Sequence, residues 1–190
     1  QCIGSRSKRS NPYCSNVCCM NTVKDALLIK EHWPETEIYV YYIDIRAFGK
    51  GFEDLFQRAR REGVTFVRGI PGEIIEDINT GNLKLLGENS LLGKPYRYDM
   101  DMVILSVGIR PRSDASALQR LLNLSTDTDG FYMEAHPKLR PVDTTTGGVF
   151  LAGAAEGPKD IKDSVTQASA AASRANILMS KGEVKVPAIT

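Results

Sequence analysis

The stretch Glu37-Ile-Tyr-Val-Tyr-Tyr-Ile-Asp-Ile45 most narrows what this chain can fold into. β-branched, aromatic and apolar residues occupy both of its alternating faces. A strand of that kind has no side to turn to water, so it predicts a strand covered on both faces, as in a parallel sheet. The residues after it fit the same architecture. Beyond Phe48-Gly-Lys-Gly51, the residues Phe52, Leu55, Phe56 and Ala59 recur at helical spacing, giving an amphipathic helix that Gly63 ends. Val64-Thr-Phe-Val-Arg-Gly-Ile70 then reads as a second strand. Strand, helix and strand at this spacing predict a right-handed βαβ unit.

The flanking sequence extends this frame. Upstream, Met20, Val23 and Leu27 recur at three and four residues from Ser15 onward, a helix that Pro34 stops. Downstream, short alternating runs at 73–78 and 82–86 surround Asn79-Thr-Gly81 and predict an antiparallel hairpin or meander. A charged linker over 87–98 leads to Asp101-Met-Val-Ile-Leu-Ser-Val107, which reads as another buried strand ending at Gly108. A short helix is expected over 114–122 and a short strand over 148–152. A long alanine-rich helix is expected from Asp160 to Met179. The fold class is α/β.

Composition excludes several roles. Twenty-four Lys and Arg against 23 Asp and Glu leave a net charge of +1, which argues against nucleic-acid or membrane-surface binding driven by charge. No apolar run is long enough to span a bilayer, and no signal-peptide core follows the basic start. A cytoplasmic location is the expectation, in which cysteines stay reduced and bind metal or do chemistry. The chain begins with Gln rather than Met and has a ligand candidate at its second position, as a piece of a longer polypeptide would.

Two stretches could carry chemistry. All four cysteines, Cys2, Cys14, Cys18 and Cys19, lie in the first nineteen residues with spacing C-x11-C-x3-C-C. Zinc sites favour paired C-x2-4-C knuckles, whereas iron–sulfur clusters accept four cysteines at more varied spacing. An iron–sulfur cluster, a zinc site and reactive thiols all remain open on spacing alone. The second stretch is Gly153-Ala154-Ala155, followed by Lys159, Asp160 and a helix N-terminus. Small residues there let the backbone approach a ligand, and the helix end favours negative charge. Lys159 could stabilise a reduced cofactor. Gly49-x-Gly51 lacks the third small residue of a dinucleotide fingerprint and reads as a turn. His32 and His136 are isolated, and no hydrolytic triad is present. A non-catalytic zinc-binding protein-interaction module is the alternative reading.

Three ordered motifs make the chain recognisable. Pro12-Tyr-Cys-Ser-Asn-Val-Cys-Cys-Met20, Tyr42-Ile-Asp-Ile-Arg-Ala-Phe-Gly-Lys50 and Leu151-Ala-Gly-Ala-Ala-Glu-Gly-Pro-Lys-Asp-Ile161, the last followed by Asp163-Ser-Val-Thr-Gln-Ala-Ser169, together resemble the A subunit of heterodisulfide reductase. The resemblance implies an iron–sulfur flavoprotein on a thioredoxin-reductase-like core. Its fold would be an incomplete three-layer FAD/NAD(P)-binding, Rossmann-like lobe. It implies FAD, and a [4Fe-4S] cluster on Cys2, Cys14, Cys18 and Cys19, with Arg6, Lys8 and Arg9 favouring the reduced cluster. FAD would meet Gly153, Ala154, Ala155, Lys159, Asp160 and Ser164, with Lys159 near the isoalloxazine as the catalytic residue. Asp160 would partly replace an acidic residue of the wider flavoprotein class that is absent here.

The same resemblance divides the chain into a cluster segment (1–19), part of a pyridine-nucleotide-type lobe (20–107) and a return to the FAD lobe (108–190). The family's Gly-rich FAD loop and ferredoxin-like motifs are not found, so the piece alone is expected to be inactive. The activity implied is flavin-based electron bifurcation toward ferredoxin and the CoM-S-S-CoB heterodisulfide of methanogenesis. Implied partners are the other heterodisulfide reductase subunits, a hydrogenase or formate dehydrogenase, and ferredoxin, with no nucleic acid or membrane and with a homodimer left open.

Overall fold

The computed structural model describes residues 1–182. Its elements are α1 (Cys18–His32), β1 (Tyr39–Tyr42), α2 (Phe52–Arg61), β2 (Thr65–Arg68), β3 (Glu73–Glu76), β4 (Leu83–Asn89), β5 (Lys94–Met100), α3 (Ala115–Leu122) and α4 (Ile161–Lys181), with a 3-10 turn at Gly153–Ala155. By its contacts the chain forms two compact units. Residues 1–6 and 17–108 make the first, and residues 7–16 and 109–190 the second.

In the first unit β1 and β2 pair in parallel, Tyr39 opposite Thr65 and Tyr42 opposite Arg68, so the βαβ unit forms as its sequence predicts. Period-two geometry sends neighbouring side chains to opposite faces. Val40 packs with Val23, Ala26 and Leu27 of α1 and with Ala59 of α2. Tyr41 packs on the other side with Val67 and Leu85. The two-stranded ribbon therefore lies between a helical layer and the antiparallel sheet β3-β4-β5. Tyrosines line that second interface. Tyr41 lies 5.2 Å from Tyr96, Tyr39 lies 5.4 Å from Tyr98, and Tyr96 stacks on Tyr98 at 5.3 Å. Burial pushes the Tyr41 phenol well above its ordinary pKa, and neighbouring tyrosines add to that.

The meander is longer than its sequence suggests. Residues 87–98, read as a charged linker, instead complete β4 and supply most of β5, paired from Leu83↔Met100 to Asn89↔Lys94. Their polarity reflects an antiparallel sheet with one wet face. Gly87 opposes Tyr96, and a Cβ at Gly87 would stand 2.6 Å from Tyr96 Cζ. The ring covers the bare glycine backbone, a known device for protecting sheet glycines. Residues 101–107, read as a buried strand, form only the isolated bridge Ile3↔Val107. Met102, Ile104 and Leu105 remain 74%, 71% and 54% exposed, so no layer within this unit covers both faces of that stretch.

The second unit is built on few regular elements. Leu124, Phe131, Val142 and Leu151 are buried, as are the polar residues Ser15, Asp143 and Thr144. Tyr13 packs edge-on against Phe131 and donates to the Ile109 carbonyl at 3.0 Å. Ser15 Oγ accepts from Ile109 N at 2.8 Å. The expected strand over 148–152 is reduced to a bridge between Asp143 and Phe150. Asp143 is gripped by Arg174 of α4 at 2.9 and 3.1 Å and by Arg140 at 3.4 Å. Its carboxyl is held below the usual range, first by the Arg174 hydrogen bonds. None of the described residues of α4 is fully buried, so polar links carry much of its attachment. Among the described residues no helix is long and apolar enough to cross a membrane.

Two outcomes are expected. Gly87→Val should lower stability by about 1–3 kcal/mol through overpacking against Tyr96, measurable by chemical denaturation. Because the folded pKa of Asp143 is depressed, its contribution is present above the unfolded carboxylate value near pH 4 and is lost as pH falls through the folded value. Asp143→Asn should therefore melt below the parent at pH 7, with the difference shrinking as the pH is lowered below about 4.

Candidate metal centre and cofactor turn

Within the first unit, residues 1–6 dock beside residues 106–108. Ile3 N donates to the Ser106 carbonyl at 3.1 Å, and Gly108 N donates to the Ile3 carbonyl at 2.8 Å. This places Cys2 near the start of α1, whose first two residues are Cys18 and Cys19. The amino group of Gln1 lies within electrostatic reach of all three sulfurs. All three cysteines are buried, at 8%, 6% and 6% exposure. Cys18 Sγ donates to the Val107 carbonyl and Cys19 Sγ to the Asp44 carbonyl, each at 3.8 Å. The backbone turns tightly here, with Cys2, Gly4 and Arg6 at φ 61°, 75° and 56°.

One charged group closes this region. Arg6 makes a forked pair with Asp44, at 2.6 and 2.8 Å, and Arg46 Nε reaches Asp44 Oδ1 at 3.3 Å. Arg6 is held above its ordinary pKa first by its hydrogen bonds to Asp44, with smaller contributions from the Asp44 charge and from the charge and hydrogen bond of Cys2. Asp44 is correspondingly lowered, chiefly by Arg6.

All four sulfurs are free thiols, with no disulfide among them. The Ser5 hydroxyl and the Gln1 side-chain amide are buried with no hydrogen-bond partner in the described structure, and orphaned polar atoms of this kind call for one. Among the described residues, however, no three His, Cys, Asp or Glu side chains are grouped so as to hold a metal ion. Cys18 and Cys19 direct their sulfurs to carbonyls of different segments, Val107 and Asp44, and Cys14 belongs to the other unit.

The second unit gathers the other predicted residues at the turn before α4. Gly153 sits at φ +65°, and a Cβ there would lie 3.4 Å from Ser164 Oγ. Ser164 Oγ donates to the Asp160 carbonyl at 2.7 Å, while Asp160 Oδ1 accepts from Asp163 N at 2.7 Å and so caps the helix. The Ala155 carbonyl accepts from Tyr132 N at 3.0 Å; Ala154 is the middle residue of the 3-10 turn. Lys159 pairs with Glu156 at 2.7 Å, both largely shielded. Glu156 also accepts from Gln167 Nε2, whose Oε1 in turn accepts from Gly153 N at 2.7 Å. This polar chain fixes the backbone at the glycine and the lysine together.

No family model matches the chain. Individual relatives do, over essentially its whole length. The second iron–sulfur A subunit of the CoB–CoM heterodisulfide reductase of Methanopyrus kandleri is 54% identical over 100% of this chain and 29% of its own length. The A subunit of the H(2):CoB-CoM heterodisulfide,ferredoxin reductase of Methanothermobacter marburgensis is 54% identical over 99% of this chain and 29% of its own. The iron–sulfur A subunit of the Methanocaldococcus jannaschii CoB–CoM heterodisulfide reductase is 48% identical, again over 100% and 29%. The chain belongs to the family of heterodisulfide reductase A subunits. It spans 29% of the length of these curated relatives.

Of the four cysteines that the family resemblance marks as ligands, Cys2, Cys18 and Cys19 belong to the first unit and Cys14 to the second. Cys14 lies outside α1, which begins at Cys18, and its Sγ accepts from Asn16 N at 3.3 Å. Gly153, Ala154, Ala155, Lys159, Asp160 and Ser164 share one turn in the second unit. Lys8 and Arg9 are exposed in the second unit, unlike Arg6. His136 serves a turn, its Nδ1 accepting from the amides of Lys138 and Leu139. Sequence reasoning did not single out Asp44, Ser5, Glu156 or Gln167. Asp44 had a readable signal, an acid inside the apolar and aromatic run that follows Glu37. Ser5, Glu156 and Gln167 had none, since their partners are set by tertiary folding.

Proposed function

We propose that this chain is the part of a heterodisulfide reductase A subunit that carries a [4Fe-4S] cluster and the far side of a flavin site. The observation that carries this reading is the 48–54% identity over the whole chain to subunits named for their iron–sulfur content; three of the four cysteines are buried in the first unit. Cys2, Cys14, Cys18 and Cys19 form the ligand set. Residues 20–107 correspond to a pyridine-nucleotide-type lobe and residues 108–190 to a return into an FAD-binding, Rossmann-like lobe. Helices on one face of β1–β2 and a sheet on the other support the layered fold.

When bound, the cluster supplies single electrons and FAD supplies a two-electron carrier. The chain's own residues do the rest. The buried thiols exclude water from their surroundings. At the turn before α4, Gly153 permits close approach of a ligand to the backbone, and the N-terminus of α4 favours negative charge. Lys159, held by Glu156, supplies a positive charge for a reduced flavin. FAD is the cofactor at that turn. The activity proposed is electron bifurcation toward ferredoxin and the CoM-S-S-CoB heterodisulfide. It would run in a cytoplasmic complex with the other reductase subunits and a hydrogenase or formate dehydrogenase. Relatives named as heterodisulfide and ferredoxin reductase subunits support that wider role.

Anaerobically purified subunit should be brown, with iron and acid-labile sulfide; colourless protein holding one zinc per chain would overturn the cluster. Cys18→Ser should lower iron content and bleach the visible absorbance while leaving the βαβ unit folded by circular dichroism. In the flavin-loaded subunit, Lys159→Ala should move the flavin potential downward. An unchanged potential would remove Lys159 from the site.

A further inference from the structure

We propose that, in the full-length A subunit, the stretch of chain leading into Gln1 forms a strand that runs parallel to residues 101–107 and is seated between them and β1. The inference rests on family membership and needs neither the cluster nor the flavin. Its starting point is the edge of β1. The Ile38 and Tyr42 carbonyls accept from Thr65 N at 2.9 Å and Gly69 N at 2.8 Å, so both point toward β2. Carbonyls alternate along a strand, which turns those of Tyr39 and Tyr41 to the opposite edge. There the Tyr41 carbonyl accepts from the Gln1 amino group at 2.8 Å. Two residues on, Ile3 bridges Val107 in parallel, with Ile3 N on the Ser106 carbonyl at 3.1 Å and Gly108 N on the Ile3 carbonyl at 2.8 Å. The neighbours in order are therefore β2, β1, residues 1–3 and residues 106–108. Cys2 stands at φ 61° and leaves the extended conformation, so Gln1 marks the place where an extended segment ends.

Residues 101–107 already have the placement of a further strand. Val103 packs with Tyr41, Val67 and Leu85 on the meander side. On the other side Ser106 Oγ meets Thr22 Oγ1 of α1 at 3.0 Å. The stretch thus shares the two neighbouring layers of β1, yet among the described residues its β pairing is confined to the bridge at Val107. A strand arriving at Gln1 would give ladder partners to both edges, which buried backbone groups require. Gln1 carries a second, independent sign. Both polar atoms of its side-chain amide are buried without a hydrogen-bond partner in the described structure, and burial pulls its amino group below the ordinary pKa. A charged ammonium is costly in such a place. Within a longer chain the same nitrogen is a neutral peptide N–H, and its bond to Tyr41 is an ordinary ladder bond. The matched region is 29% of the length of the curated relatives, so subunits of this family have chain to supply the strand. Lying between a helical layer and the meander, that strand needs apolar residues on both alternating faces.

Hydrogen exchange on the full-length subunit, read by mass spectrometry on peptides covering 101–106, tests the proposal. Exchange there should be slow, as in β4 and β5. Prolines in place of the residues just before Gln1 remove the new ladder donors. They should speed exchange at 101–106 about tenfold or more while β4 and β5 stay protected. Fast exchange at 101–106 in the parent subunit would overturn the proposal. Protection that survives the prolines would overturn it too, because another segment, a partner subunit or a second copy would then cover the stretch. If the prolines also strip protection from β4 and β5, the variant is unfolded and a second measurement decides. A photo-crosslinking amino acid replaces Ile104 in the otherwise parent subunit. A cross-link to the peptide leading into Gln1 supports the strand; a cross-link elsewhere, or none, overturns it. None of these readouts depends on iron content, so the cluster reading stands or falls separately.

Discussion

The double burial of β1 is the constraint on which the first unit depends. A strand covered on both faces cannot end one layer of a fold; it must be the middle of three. Val40 commits one face to the helices and Tyr41 commits the other to the antiparallel sheet. The order α1, ribbon, meander follows from those two neighbouring side chains. The same layering positions the thiols. Val23, Ala26 and Leu27 seat α1 on the ribbon, and α1 opens with Cys18 and Cys19.

Each unit also relies on a carboxylate joined to an arginine far away in sequence. In the first, Asp44 meets Arg6; in the second, the buried Asp143 meets Arg174. Hydrophobic contact is non-directional, but a forked pair with a carboxylate specifies position and angle. In the first unit this joins the amino-terminal segment to the chain just beyond β1, next to the cysteines. In the second it ties α4 to the loop-built core, which matters because α4 presents Ile161 and Val165 at 84% and 61% exposure. Removing one partner from either pair would leave the other charge poorly compensated, at greater cost where the group is buried.

Apolar patterning and observed burial part company in two places, and the reason is the same. Residues 101–107 carry the composition of a buried strand, and α4 carries an apolar, alanine-rich face, yet both are largely exposed in the described structure. Periodicity records which side chains avoid water and says nothing about what covers them. The meander shows the converse. A charged run over 87–98 looked like a linker, but one wet face is sufficient for an antiparallel strand, and Tyr96 over Gly87 supplies the contact that steadies it.

What the sequence determined by itself is local or repetitive. The βαβ unit, the helical phases of α1, α2 and α4, the clustering of four cysteines and the small-residue turn at Gly153 were all legible, because each follows from spacing along one segment. Family membership was legible for the same reason, as three ordered motifs. Only the tertiary structure decided which groups meet. It placed Cys2, Cys18 and Cys19 in the first unit and Cys14 in the second, and it buried Arg6 on Asp44 while leaving Lys8 and Arg9 exposed. It also linked Lys159 to Gly153 through Glu156 and Gln167. Those outcomes depend on long-range docking, where one hydrogen bond between distant segments sets the partner. No spacing rule in the primary chain encodes that choice.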